Sequence, residues 1–134
     1  MQPARSDGAS SCIEACNDCN RVCLQHVQHC LTLGGEHAEA DHIAMLLTCA
    51  SVCRATAELV ALDSEWHATM CDLCSQVCEE CADGCEELGE MDDCVQACQR
   101  CAEECRAMVA VEDDDADADE DADDELEVSS ERIN

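Results

Sequence analysis

The cysteines of this chain recur at alternating steps of three and four residues. Cys12, Cys16, Cys19 and Cys23 step 4, 3 and 4, and Cys30 follows after a gap of seven that His26 divides. Cys71, Cys74, Cys78, Cys81 and Cys85 step 3, 4, 3 and 4, with His67 one step ahead of them. Cys94, Cys98, Cys101 and Cys105 step 4, 3 and 4, between Met91 and Met108. Alternation of three and four keeps side chains on one stripe of an α-helix, the seam that faces the interior of a bundle. A strand repeats every two residues and would scatter these thiols over both faces. The pattern therefore demands helices packed with their cysteine stripes inward.

Four helical stretches accommodate it. The first is expected to open at Ser11, where Glu14 three residues on completes a capping-box pattern, and to stop at Gly34-Gly35. The second runs from about His37 to Leu62 and carries only Cys49 and Cys53, its stripe extended by His42, Leu46, Thr56 and Val60. Asp63-Ser64 is expected to cap the third, which ends near Leu88-Gly89, and the fourth runs from Glu90 or Met91 to Val111. The only proline is Pro3, so nothing breaks these segments. Short connections make consecutive helices antiparallel. The expected fold is all-α: an antiparallel up-down-up-down four-helix bundle with a Cys-lined core over residues 11–111. A flexible N-terminus, 1–10, precedes it and an acidic disordered tail, 112–134, follows.

Composition sets the energetics. The chain has 16 cysteines among 134 residues, no Phe, no Tyr and one Trp, so large aromatic side chains do not fill its core. Its formal net charge is −27, with no Lys, and the segment before the tail is itself strongly acidic. Such a surface repels phosphate backbones and anionic bilayers, so nucleic acid and membrane are not expected partners. It suits a halophilic cytoplasm, where concentrated salt screens self-repulsion. The N-terminal residues form no apolar signal segment and no run of 18 apolar residues occurs. The expected location is cytoplasmic, where cysteine-rich chains use sulfur for metal or redox chemistry.

An inert core explains one or two buried thiols but not a stripe of them, because cysteine is smaller than leucine and underfills a bundle. Disulfides within a helix would be strained, since Cβ atoms at i,i+3 or i,i+4 lie about 5–6 Å apart and a disulfide needs about 3.5–4.5 Å, while bridges between helices could form under oxidation. A metal ion between two sulfurs spans the gap. Thiolates select Cu(I), Zn(II) or iron–sulfur clusters. Sixteen buried thiolates need charge compensation; four Zn(II) leave −8, whereas about one Cu(I) per sulfur approaches neutrality. The ferredoxin run ending in Cys-Pro does not occur. Cu(I), many ions per chain, fits best.

The motifs Cys12-x3-Cys16-x2-Cys19-x3-Cys23, His29-Cys30-Leu31-Thr32-Leu33-Gly34-Gly35-Glu36-His37 and Cys49-Ala50-x2-Cys53 carry a family likeness. So do Ser64-x2-His67-x3-Cys71-x2-Cys74-x3-Cys78-x2-Cys81-x3-Cys85 and Met91-x2-Cys94-x3-Cys98-x2-Cys101-x3-Cys105. Over residues 12–110 the chain resembles the cytosolic four-helix-bundle copper storage proteins. The resemblance implies many Cu(I) ions held by thiolates inside each bundle, and a homotetramer of bundles. The chain departs from it at Leu88-Gly89-Glu90-Met91-Asp92-Asp93, where some relatives carry a histidine cluster and this sequence has none.

In an up-down bundle the first and third connections share one end. That end gathers His26, His29, His37, His42, Met45 and Met91 and is the expected mouth for copper, since imidazole and thioether both ligate it. His26 and His42 lie on the stripe and, with Met91, join the sixteen cysteines as expected ligands. His29 and His37 suit backbone capping equally well, and Met45 and Met70 are expected to pack. Asp115-x-Asp117-x-Asp119 mimics a calcium loop, but Glu120 replaces the required glycine, so the tail reads as a solvating segment. No single thiol, triad or carboxylate pair is singled out for catalysis, so no enzyme is expected. The alternatives to copper storage are a zinc or general thiol metal buffer, or a thiol redox protein. A copper-delivery or recipient protein is the remaining expected partner.

Overall fold

In the computed structural model the backbone is described for residues 3–119 and the side chains for 8–110. Four helices follow in order: α1 Pro3–Leu33, α2 Ala40–Ala61, α3 His67–Leu88 and α4 Asp92–Asp119, with a short 3₁₀ turn at Gly35–Ala38 between α1 and α2. Each helix packs against its sequence neighbour, and α1 closes the ring against α4. This is the antiparallel four-helix bundle that the cysteine stripes require.

Several boundaries differ from the sequence reading. Helix α1 starts at Pro3 rather than Ser11, so residues 3–10, expected to be a flexible lead, have helical backbone. Proline suits the first helical position because its missing N–H has no partner to lose there, and nothing after it interrupts the helix before Ser11. Helix α3 starts at His67. Ser64 acts in the turn before it, its Oγ accepting the Trp66 N–H at 3.0 Å and its carbonyl accepting the His67 N–H at 3.1 Å. Asp63, with φ 57°, ends α2: its N–H bonds to Val60 O and that of Ser64 reaches back to Leu59 O, both at 3.0 Å. This is the left-handed stop usually made by glycine. Helix α4 continues through the first part of the acidic run, to Asp119. The rest of the expected disordered tail, 120–134, lies outside the described residues.

The interior is built of small side chains. All sixteen cysteines are 0–1% exposed, and the largest other fully buried side chains are Leu46, Met91, Val60 and Thr56. Thr56 spends its hydroxyl on the backbone, donating to Val52 O at 2.7 Å. Helices are tied by Asn20 Nδ2 to Ala50 O at 2.8 Å across α1 and α2, by Arg100 to Glu14 at 3.5 Å across α4 and α1, and by Arg106 to Glu79 across α4 and α3. The outer faces differ in kind. Helix α3 exposes Asp72, Glu79, Glu80, Asp83, Glu86 and Glu87 beside Leu73, whereas α2 exposes Ala44 and Leu47, with Leu62 just beyond its end, and carries only Asp41, Arg54 and Glu58 as exposed charges. Among the described helices α2 alone is long and apolar enough to cross a bilayer, but its stripe of Cys49, Cys53, Thr56 and Val60 is buried inside the bundle.

Candidate metal centre

The four stripes deliver their thiols into one continuous tube. At the end nearest the α2–α3 turn, Cys12 lies 4.0 Å from Cys71 and 3.9 Å from Cys105. Inward from there, Cys16 meets Cys105 at 3.8 Å and Cys101 at 3.5 Å, and Cys101 meets Cys74 at 3.7 Å. Cys53 of α2 sits among Cys74, Cys78 and Cys101 at 3.7, 3.5 and 3.7 Å. Cys49 contacts Cys19, Cys78 and Cys98 at 3.8, 3.7 and 3.8 Å. Towards the other end, Cys23 lies 3.9 Å from both Cys94 and Cys98, and Cys94 is 3.5 Å from Cys85. All sixteen thiols are free.

These thiols form groups whose ligand atoms lie within 4.8 Å of one another: Cys12, Cys71 and Cys105; Cys16, Cys74, Cys101 and Cys105; Cys19, Cys53, Cys78 and Cys101; Cys19, Cys23, Cys49 and Cys98; Cys23, Cys81, Cys94 and Cys98. A metal–sulfur bond of about 2.3 Å puts two sulfurs on one tetrahedral ion about 3.8 Å apart, and about 4.0 Å apart on a trigonal one. The observed 3.5–4.0 Å contacts therefore suit metal bridging without movement of the helices. The groups also overlap. Cys105, Cys101, Cys19, Cys23 and Cys98 each belong to two, so a filled tube requires sulfurs that bridge ions. Separate zinc sites of four thiolates each do not share ligands in this way.

Electrostatics favour protons on many of the empty thiols. Hydrogen bonding to Cys101, followed by Cys19 and the remaining neighbours and by burial, pushes the Cys78 thiol well above its ordinary range. Cys98 is raised in the same way, first by Cys19. The partners that accept these bonds move oppositely: Cys49 is lowered, first by Cys19, and Cys101 first by Cys105. Among the described residues the buried set contains no cation, and its polar members other than cysteine are Thr56 and Ser75.

Cys30 stands apart from this network. Its thiol donates to Met91 Sδ at 3.3 Å and lies 3.3 Å from His42 Nε2. Burial raises the Cys30 pKa, and burial followed by the neighbouring His37 lowers that of His42. The result is a compact thiol, thioether and imidazole set at the end where the α1–α2 and α3–α4 connections meet. Leu46, the next residue inward on the α2 stripe, offers no ligand, so this set is distinct from the tube. Sequence reading named Cys30, His42 and Met91 separately; helix register brings them together.

The other histidines divide. His37 Nε2 donates to Gly89 O at 3.0 Å and His29 Nε2 to Glu90 O at 3.3 Å, so both bind carbonyls of the α3–α4 turn. Gly89 and Glu90 have φ of 80° and 61°, which turns their carbonyls away from the helix ladder. This is the capping role, made across the bundle rather than within a helix. His26 lies beside His29, and its Nδ1 is buried without a hydrogen-bond partner. At the far end, His67 Nδ1 bonds to Ser64 O at 2.8 Å.

Residues 5–110 match the family described as Csp, copper storage protein. The chain belongs to the copper storage protein family. Among solved structures, that of the Nmul_A1745 protein from Nitrosospira multiformis is 41% identical, with a TM-score of 0.75 over 78% of this chain and 96% of that one. The Cu(I)-bound copper storage protein BsCsp3 is 31% identical, with a TM-score of 0.72 over 77% and 99% of the two chains. The apo form of copper storage protein 3 from Bacillus subtilis is 34% identical, with a TM-score of 0.64 over 75% and 98%. The uncharacterized cysteine-rich protein YhjQ of Bacillus subtilis (strain 168) is 33% identical over 69 residues; the match spans 52% of this chain and 64% of that relative's length.

Proposed function

We infer that this protein stores copper, sequestering many Cu(I) ions through thiolates inside the bundle. The continuous overlap of the thiol groups carries the reading, because sixteen bridging sulfurs with no separate four-thiolate sites are brought close to neutrality by about one Cu(I) each, whereas Zn(II) leaves a net negative interior. A similar bundle, BsCsp3, is a copper storage protein whose solved structure is Cu(I)-bound. All sixteen cysteines serve as ligands. Cys30, His42 and Met91, with His26 beside them, form the mouth through which copper reaches the tube. No thiol is set apart with a resolving partner in a substrate cleft, so the reading is storage and not catalysis.

The finer properties are part of the same reading. A cytoplasmic address fits a chain whose sixteen thiols are all free. A homotetramer follows from the family resemblance and is supported by the charge-poor outer face of α2, where Ala44 and Leu47 are exposed with Leu62 just beyond the helix end. The lysine-free charge of −27 fits a halophilic cell, and a recipient protein would draw copper from the Met91 end. Anaerobic titration with Cu(I) against a chromophoric competitor, repeated with Zn(II), tests the central reading. More than ten Cu(I) bound per chain, in preference to Zn(II), is the expected result. Saturation near four ions with no preference would replace it with a zinc or general thiol buffer.

A further inference from the structure

Outside the tube, at the end where the two connections meet, a recess of about 450 Å³ is lined by Gln25, His26, His29, Glu90, Asp92 and Asp93. It joins two imidazoles one turn apart on α1 to carboxylates at the start of α4, and it contains no thiol. The His26 and His29 rings are 5.3 Å apart between centres and 82° between planes. An imidazole nitrogen about 2.1 Å from a metal puts its ring centre roughly 3.2 Å away, so two such rings lie about 5.3 Å apart on tetrahedral vertices and about 4.5 Å apart on the cis vertices of a square-planar or octahedral ion. The pair has the first spacing and reaches the second by a small side-chain rotation.

Both rings are also prepared chemically. Metal-binding histidines usually donate their second N–H to a carbonyl or carboxylate, which fixes the tautomer. His29 Nε2 makes that bond to Glu90 O, leaving Nδ1 as the free lone pair. The buried Nδ1 of His26 has no partner, an uncommon state for a ring nitrogen that a cation relieves. We propose that this recess binds one borderline divalent cation of the first transition row. His26 and His29 are its nitrogen ligands, and a carboxylate of Asp92 or Asp93 is its oxygen ligand. Imidazole with carboxylate suits Cu(II), Ni(II) or Zn(II) and lacks the sulfur that favours Cu(I). The strongly acidic surface raises the local concentration of any such cation. His26 also borders the copper mouth, but the recess contains no thiol and the site does not depend on what fills the tube.

Ni(II) is the probe. The full chain is first filled with Cu(I) so that its thiols are occupied, then titrated calorimetrically with Ni(II) in concentrated salt and excess Mg(II), which saturates plain carboxylate sites. One Ni(II) per chain is expected, with selective broadening of the His26 and His29 imidazole resonances. His29→Ala and the double change Asp92→Asn with Asp93→Asn should each weaken binding at least about tenfold, while His67→Ala at the opposite end leaves it unchanged. Ni(II) that Mg(II) displaces, or an affinity that His29→Ala does not alter, would overturn the proposal.

Discussion

Loading the tube with Cu(I) should release about one proton per ion, a value that follows from the spacing of the thiols. Cys53 Sγ lies 3.7, 3.5 and 3.7 Å from Cys74, Cys78 and Cys101. Two unit charges at such a distance repel by about 4 kcal/mol even at an effective dielectric constant of about 20. Each ionised neighbour therefore pushes a thiol well above its ordinary range, and Cys53, raised first by Cys101, has three such neighbours. Among the described residues no buried cation offsets this, and the thiols are 0–1% exposed. The empty protein must hold most of its sulfurs as S–H near neutral pH, so Cu(I) binds by displacing H⁺ and the charge of the interior barely changes.

A pH-stat titration of the reduced protein in weak buffer measures this directly. Base consumed per Cu(I) added should stay near one and continue past ten ions per chain. Zn(II) in sites of four thiolates should release up to about four protons per ion and stop after about four ions. A slope near zero for Cu(I) would mean that the thiols are already ionised, or that copper binds elsewhere, and would refute the neutralisation argument.

Replacing His42 with Gln and Met91 with Leu, which nearly preserves volume, should slow Cu(I) uptake severalfold while lowering capacity by at most about one ion; stopped-flow transfer from a chromophoric donor reads both, and an unchanged rate would move the mouth elsewhere. Leu46→Ala should cost the reduced apo protein about 2–5 kcal/mol in urea unfolding, because Leu46 is fully buried among side chains too small to close over the gap; a cost under about 1 kcal/mol would show that the fold does not lean on it. Apo stability should also fall at both ends of a pH window. The raised Cys30 pKa gives a contribution present below the thiol's ordinary 9.0 and lost as pH rises through the folded value. The lowered His42 pKa gives one present above 6.5 and lost as pH falls towards the folded value. Unfolding midpoints measured across the window test both, and a flat profile beyond its two edges would contradict them.

The sequence by itself determined the bundle, the inward face of each helix and the choice of sulfur as ligand. Those follow from a local periodicity: a step of three or four residues fixes a side chain's direction on a helix whatever surrounds it. It also placed His26, His42 and Met91 at one end, because chain reversal at Gly34-Gly35 and Gly89 leaves no other arrangement of short connections. Helix starts were less legible. Ser11 carries a capping signature but lies inside α1, and Ser64 caps a turn rather than α3, because a capping side chain is used only where the backbone actually leaves the helix. What tertiary structure alone decided is which sulfurs meet. Cys12 with Cys105, Cys19 with Cys98 and Cys30 with Met91 are 93, 79 and 61 residues apart. Their register is set by how the helices slide and rotate as small side chains interlock. Whether a histidine turns to a carbonyl, as His29 and His37 do, or is left with an unpaired buried nitrogen, as His26 is, depends on that same packing across helices and is not encoded in any local spacing.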